Sequence, residues 1–142
     1  MNKRRGFTLI ELLVVILILA ILAALIVPRL IGRADDAKRA KAMSDITQIT
    51  NALEAFRLDT DRYPDTEEGL ADSLMSRPSD VQTWNGPYLK KLPADPWGHE
   101  YVYTNLGDGE VMVLSYGADG TESGEGNNAD ISNLDEAQAA SQ

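Results

Sequence analysis

The feature that most limits what this chain can fold into is an acid set near the start of an otherwise unbroken apolar run. Phe7 to Val27 holds one charged side chain, Glu11, and from Leu12 onward nothing polar. At about 1.5 Å of rise per residue, a helix over these 21 residues is about 31 Å long, close to the thickness of a bilayer core. Such a helix can span a membrane. A cleaved secretory signal is the alternative, because Lys3, Arg4 and Arg5 form a basic leader. Against it, no A-x-A pair follows the run and an acid sits inside it.

A carboxylate deep in hydrocarbon is disfavoured by about 3 kcal/mol, so Glu11 needs a partner or water. The residues from Leu12 to Val27 offer no polar group. Cutting between Gly6 and Phe7 would create an α-amino group four residues before Glu11, the spacing that brings two groups onto one helix face. With a reference pKa of about 7.7 to 8.0, that amine is largely cationic at neutral pH. It can pair with Glu11 of its own chain or of a neighbour. The plainer reading, in which Glu11 lies one turn below the membrane surface and is hydrated, stays open on the residues alone.

Gly6-Phe7-Thr8-Leu9-Ile10-Glu11-Leu12 behind a short basic leader resembles the type III signal of the type IV pilin and pseudopilin superfamily. The resemblance implies that a prepilin peptidase in the inner membrane cuts after Gly6 and that Phe7 is N-methylated. It also implies that Glu11 neutralises the new amine as subunits dock into a helical filament. A cut at glycine is chemically sensible, since the missing Cβ lets a protease approach the backbone.

Without Lys3, Arg4 and Arg5 the side chains carry 10 bases against 22 acids, a formal net charge of −12. Nucleic acid is an unsuitable partner for such a surface. The 51 residues after Lys91 contain ten acids and no Lys or Arg, so this half attracts cations or basic surfaces. The chain has no cysteine, and no disulfide can brace it in an oxidising compartment. Orientation does not follow from charge, because Arg29, Arg33, Lys38, Arg39 and Lys41 follow the span that the three leader bases precede. The cytoplasmic placement of the leader rests on the resemblance.

Pro28 and Gly32 follow the apolar run, and proline either loosens a helix or ends it. The spacing beyond favours continuation. Ala34, Ala37, Met43, Ile46, Ile49, Leu53 and Phe56 recur at threes and fours or their sums, with polar residues between, which predicts an amphipathic helix to about Leu58. Asp59 to Asp65 reads as an exit loop, and Thr66-Glu67-Glu68-Gly69-Leu70 as a capped turn into a second small helix with Leu70, Leu74 and Met75 facing the core. Ser76 to Lys91 reads as loop, anchored by Trp84, Tyr88 and Leu89. A binding role for Trp84 is open, but packing is the commoner one. Trp97, between prolines and a glycine, is expected to close the sheet edge over the helix. Tyr101 to Thr104 and Glu110 to Leu114, separated by Gly107-Asp108-Gly109, predict an antiparallel hairpin. His99, the only histidine, reads as a surface turn residue.

From Tyr116 to Ile131, glycines at 117, 120, 124 and 126 alternate with acids, a composition suited to Ca²⁺ or to a solvated linker. Asp119, Gly124 and Asp130 stand at positions 1, 6 and 12 of a calcium-loop count, yet Thr121 and Ser123 replace the usual acids and no helices flank the loop, so it is not an EF-hand. About 75 residues build the rest of the head, a size at which a staple is expected, and without cysteine a metal is the staple left.

Leu92-Pro93-x-Asp95-Pro96-Trp97-Gly98-x-x-Tyr101, then Ser115-x-Gly117-Ala118-Asp119-Gly120 and Ala129-Asp130-Ile131, resemble the major pseudopilin family of type II secretion. The resemblance runs from Lys3 to about Leu134 and implies an α+β pilin-like fold, a long half-transmembrane helix packed on a small antiparallel sheet. It implies Ca²⁺ held by Asp119, Asp130 and the backbone carbonyl of Tyr116, with Ser123 and Glu122 as further candidates. The family usually has Trp where Leu134 stands.

The expected organisation is leader 1–6, membrane or filament-core half-helix 7–28, amphipathic half-helix 29–58, periplasmic head 59–134 with calcium loop 116–131, and flexible tail 135–142. The expected function is that of a non-enzymatic subunit polymerising through its first helix into the periplasmic pseudopilus, helping folded exoproteins cross the outer membrane. Prepilin peptidase, minor pseudopilins and an inner-membrane assembly platform are the partners implied. Two alternatives are a type IV pilin, which often carries a C-terminal disulfide, and a membrane-anchored calcium-binding module that never polymerises. Catalysis has little to build on: the chain has one histidine, no cysteine and no nucleophile motif.

Overall fold

The computed structural model describes residues 6–135, except for the side chains of residues 25–31. Helix α1 runs from Leu9 to Thr60 and passes through Pro28 and Gly32 without ending. The chain separates into two compact units, Met1–Asp36 and Ala37–Gln142. The leader residues 1–5 and the tail beyond Asp135 lie outside the described residues.

In the first unit the helix begins at a capping box. The amide of Glu11 donates to Thr8 Oγ1 at 3.3 Å, while Glu11 Oε2 accepts from Thr8 N at 3.0 Å and from Thr8 Oγ1 at 2.9 Å. Two helix-start donors are thereby satisfied reciprocally, an arrangement that stabilises a helix end by about 1 kcal/mol. The apolar side chains after it are exposed all round, from 81% at Leu9 to 46% at Val14 and Val15. Among the described residues no helix is long and apolar enough to cross a membrane. The expected span 7–28 includes residues 25–28, whose side chains are outside that description.

The second unit buries one stripe of α1. Ala42, Ile46, Ile49, Leu53 and Phe56, at helical spacings of three and four, are fully buried. Each large apolar side chain taken from water contributes about 1.5 to 3 kcal/mol. Against this stripe stands a three-stranded antiparallel sheet in the order β1-β2-β3, with β1 Val102–Gly107, β2 Glu110–Ser115 and β3 Ile131–Ser132. The β1–β2 turn is tight because Asp108 and Gly109 take φ of 52° and 83°, the left-handed pair that a two-residue hairpin requires. Tyr103, Val111, Val113 and Ile131 supply the sheet's part of the core. The short β3 is prolonged by a side chain: Asn133 Oδ1 accepts from Val113 N at 2.8 Å, and Asn133 Nδ2 donates to Val111 O at 2.9 Å.

Helix α2, Gly69–Leu74, buries Leu70 and Leu74 and leaves Met75 half-buried. Its expected capped turn forms differently: Glu68 Oε2 accepts from Asp65 N at 2.7 Å and also holds Arg62 at 2.8 Å. Trp84, Tyr88, Leu89 and Trp97 pack against the core as partly buried residues. The indole of Trp84 donates to Ser73 O at 2.9 Å, which makes it an internal anchor. Leu134 lines an open cavity of about 180 Å³ together with Thr50, Tyr63 and Val111.

Candidate functional site

The first candidate site is the start of α1. Phe7 is 81% exposed beside Gly6, and the Gly6–Phe7 link lies in irregular chain just before the helix. That presentation suits a peptidase, which needs unfolded backbone. Glu11 has a partner here, namely Thr8, on the N-terminal side and not in the apolar run that begins at Leu12. The signal was present: T-x-x-E ahead of an apolar run is the pattern of a capping box.

The second is the loop 116–131. Its limbs are drawn together by Ala118 N donating to Asn127 O at 3.0 Å. Gly117 and Gly124 are required there, because a Cβ would lie 2.9 Å from Asn127 O in the first case and 2.5 Å from Asn128 O in the second. Asp119 accepts from Thr121 N at 3.2 Å, and Asp130 Oδ2 accepts from Ser123 N at 3.1 Å. Asp130 Oδ1 is buried and has no hydrogen-bond partner. Ser123 is thus brought to Asp130, while Glu122 stays exposed.

Among the described residues no group of three or more His, Asp or Glu is placed to hold a metal. A hard cation in this loop would therefore rest on two carboxylates and neutral oxygens. Ca²⁺ accepts such a set, and a buried carboxylate oxygen with no donor is an atom that a cation satisfies. Of the expected ligands, Asp130 with its unpartnered Oδ1 suits such an ion, while Asp119 accepts from the amide of Thr121.

Three residues to which the sequence assigns no role of their own shape the loop. Asp95 is buried and accepts from Trp97 N, His99 N and Ser115 Oγ at 3.0, 2.8 and 2.6 Å. Ser115 Oγ in turn accepts from Gly117 N at 3.3 Å. Arg39 Nη1 on α1 donates to Gly126 O and Ala129 O, each at 3.0 Å. Asp-Pro ahead of Trp-Gly marks a turn at Asp95 but not its bond to Ser115, 20 residues on, and nothing local marks Arg39, 87 residues from its partner. His99 is more than a solitary surface histidine. Its ring lies against Gly120, where a Cβ would sit 2.9 Å from Nε2, and its Nδ1 is 3.6 Å from Asp95 Oδ2.

A helix that buries one stripe under a small sheet and carries an exposed apolar run behind a Gly-Phe junction defines a subunit of the pilin-like class. The comparisons narrow the class. Residues 29–134 match the family model "Type II secretion system (T2SS), protein G", and residues 1–27 match the prokaryotic N-terminal methylation motif. The chain is 46% identical to the type II secretion system core protein G of Vibrio cholerae over 94% of its own length and 93% of the relative's. With the Pseudomonas aeruginosa protein of that name it shares 47%, over 94% and 97%. The crystal structure of the major pseudopilin from the type 2 secretion system of enterohaemorrhagic Escherichia coli superposes with a TM-score of 0.64 at 37% identity, covering 75% of this chain and 90% of that one. The chain belongs to the type II secretion system protein G family.

Proposed function

We propose that this chain is the subunit of a periplasmic pseudopilus, held in the inner membrane by the apolar half of α1 until it polymerises. The observation that carries the reading is the exposed apolar surface of the first unit, where large side chains from Leu9 to Leu22 stand 46% to 81% accessible. Water cannot be their natural environment. Lipid covers them before assembly and the same helices of neighbouring subunits cover them afterwards. A prepilin peptidase cuts after Gly6, and the new Phe7 amine lies near the Glu11 carboxylate that Thr8 fixes at the helix start. Pairing of amine and carboxylate removes two charges from the apolar filament core. Filament growth then helps folded exoproteins across the outer membrane, in concert with minor pseudopilins and an inner-membrane platform. The chain acts through assembly, not turnover.

Asp119 and Asp130 would hold a calcium ion, with Ser123 and the Tyr116 carbonyl as further oxygens and Glu122 at the loop's outer face, and the ion would supply positive charge between the loop's acidic limbs. The protein's own part is to fold those limbs together through Ala118 and Asn127.

Replacing Glu11 by Ala tests the assembly mechanism. Filaments recovered from cells and secreted exoprotein should both fall at least about tenfold, as for loss of a buried charge partner, while the precursor is still processed at Gly6. Normal filaments and secretion would remove the proposed role of the carboxylate.

A further inference from the structure

The inference concerns Arg39 and rests on the calcium reading of the 116–131 loop. The two limbs of that loop are anchored to different parts of the head. On the entry side, Ser115 is buried, bonded to Asp95 at 2.6 Å and to the Gly117 amide at 3.3 Å, so this limb is tied to the sheet and the turn before it. On the exit side, the anchor is the helix. Arg39 reaches from α1 to Gly126 O and Ala129 O, which bracket the 3₁₀ turn Gly126–Asn128 and end one residue before Asp130.

A guanidinium is always charged and offers several donors in a fixed plane, so it can hold two carbonyls in one geometry without titrating. Each of those two carbonyls spends one lone pair on Arg39, which fixes its direction. The residue immediately after Ala129 is Asp130, whose Oδ1 is buried without a donor. Fixing Ala129 fixes the backbone from which that carboxylate projects.

We propose that Arg39 is a positioning residue for the calcium loop. It clamps the exit limb to α1, presents Asp130 to the ion, and thereby ties ion occupancy to the helix that also forms the filament. The clamp is half-buried and made to backbone atoms, so its effect is on the loop's conformation and not on the ion's charge balance. An arginine that merely stabilised the head would lower its melting temperature equally with and without calcium. A positioning arginine changes the ion's affinity.

The experiment titrates calcium into the full chain in detergent micelles, stripped of metal beforehand, for the wild type, Arg39→Gln, Arg39→Lys and Arg57→Gln. Arg57 lies on the same helix but pairs with Tyr63 and Glu54, away from the loop. Calorimetric affinity is read alongside the melting temperature in chelator and in saturating calcium. Arg39→Gln should weaken calcium binding about tenfold or more, the usual effect of losing a residue that orients a ligand, and should shrink the calcium-dependent rise in melting temperature. Arg39→Lys should recover part of the affinity, and Arg57→Gln should bind as the wild type does. Binding by Arg39→Gln within about twofold of wild type, or equal weakening by Arg57→Gln, overturns the proposal. Should Arg39→Gln not fold, Arg39→Met, which keeps an apolar stem and removes every donor, takes its place, and affinity within about twofold of wild type there overturns the proposal. A wild-type chain that takes up no calcium overturns the calcium reading itself, and this inference with it.

Discussion

One helix serves two units, and the two treat the same kind of side chain in opposite ways. Between Leu9 and Leu22 the isoleucines, leucines and valines are about half exposed or more, whereas Ile46, Ile49, Leu53 and Phe56 are fully buried. The side chains are alike in hydropathy. What differs is the pattern: apolar on all faces in the first unit, a single stripe with polar flanks in the second. A stripe can be satisfied by the chain's own sheet. An all-round apolar surface cannot, and it commits the first unit to surroundings made by lipid or by other subunits.

That contrast can be broken by substitution. Phe56→Ala should destabilise the head by about 3 to 5 kcal/mol, as for other buried phenylalanines, enough to unfold a domain of this size, with denaturant unfolding in micelles as the measurement. Leu17→Ala should leave head stability within about 0.5 kcal/mol, as for a site outside the folded core. A large effect of Leu17→Ala on the head would mean that the first unit's packing is not independent.

Calcium sharpens the same contrast, since only the second unit carries the loop. At a concentration about a hundredfold above its dissociation constant, the ion should stabilise the head by about 2.7 kcal/mol. Chelation should reverse this, and Asp130→Asn should abolish it. Coincident melting curves with calcium and with chelator would reduce the loop to a linker.

The smallest expected effect is alkaline. Burial is the main cause that pushes the phenols of Tyr101 and Tyr103 upward, aided by the carboxylates of Asp45 near Tyr101 and Asp65 near Tyr103. The unfolded chain then releases these protons first, near pH 10. Their stabilising contribution is complete below that value and is lost as pH rises through the folded range, by about 1 to 2 kcal/mol at pH 10.5 for the pair. A head equally stable at pH 9 and 10.5 would contradict the burial of these two hydroxyls.

Much of this architecture is written locally. The stripe Ile46, Ile49, Leu53 and Phe56, the Gly107-Asp108-Gly109 turn and the glycine spacing of the 116–131 loop each follow from a period or a backbone preference that a few neighbouring residues reveal. Ala34 and Ala37, expected on that stripe, are exposed and Ala42, outside it, is buried, because the sheet covers the helix only from about residue 42 onward. The Thr8–Glu11 box is equally local, a T-x-x-E pattern lying on the N-terminal side of the acid. Arg39 and Asp95 belong to another kind. Their partners are carbonyls, amides and a hydroxyl brought close only by the folded chain, and an arginine on a polar helix face looks the same in sequence whether it grips a loop or points into solvent. Asp119 and Asp130 are marked by composition, yet their relation to Ser123 and Thr121 depends on turns that composition leaves undefined.

Asn133 has a bearing on how such heads can meet. Its carboxamide occupies the donor at Val113 and the acceptor at Val111, the stretch of β2 that two-residue β3 leaves uncovered. A strand from another molecule finds no unpaired ladder there to join. At this stretch of β2 a neighbouring copy has no ladder to extend, so edge-on pairing of the kind that builds amyloid cannot begin there.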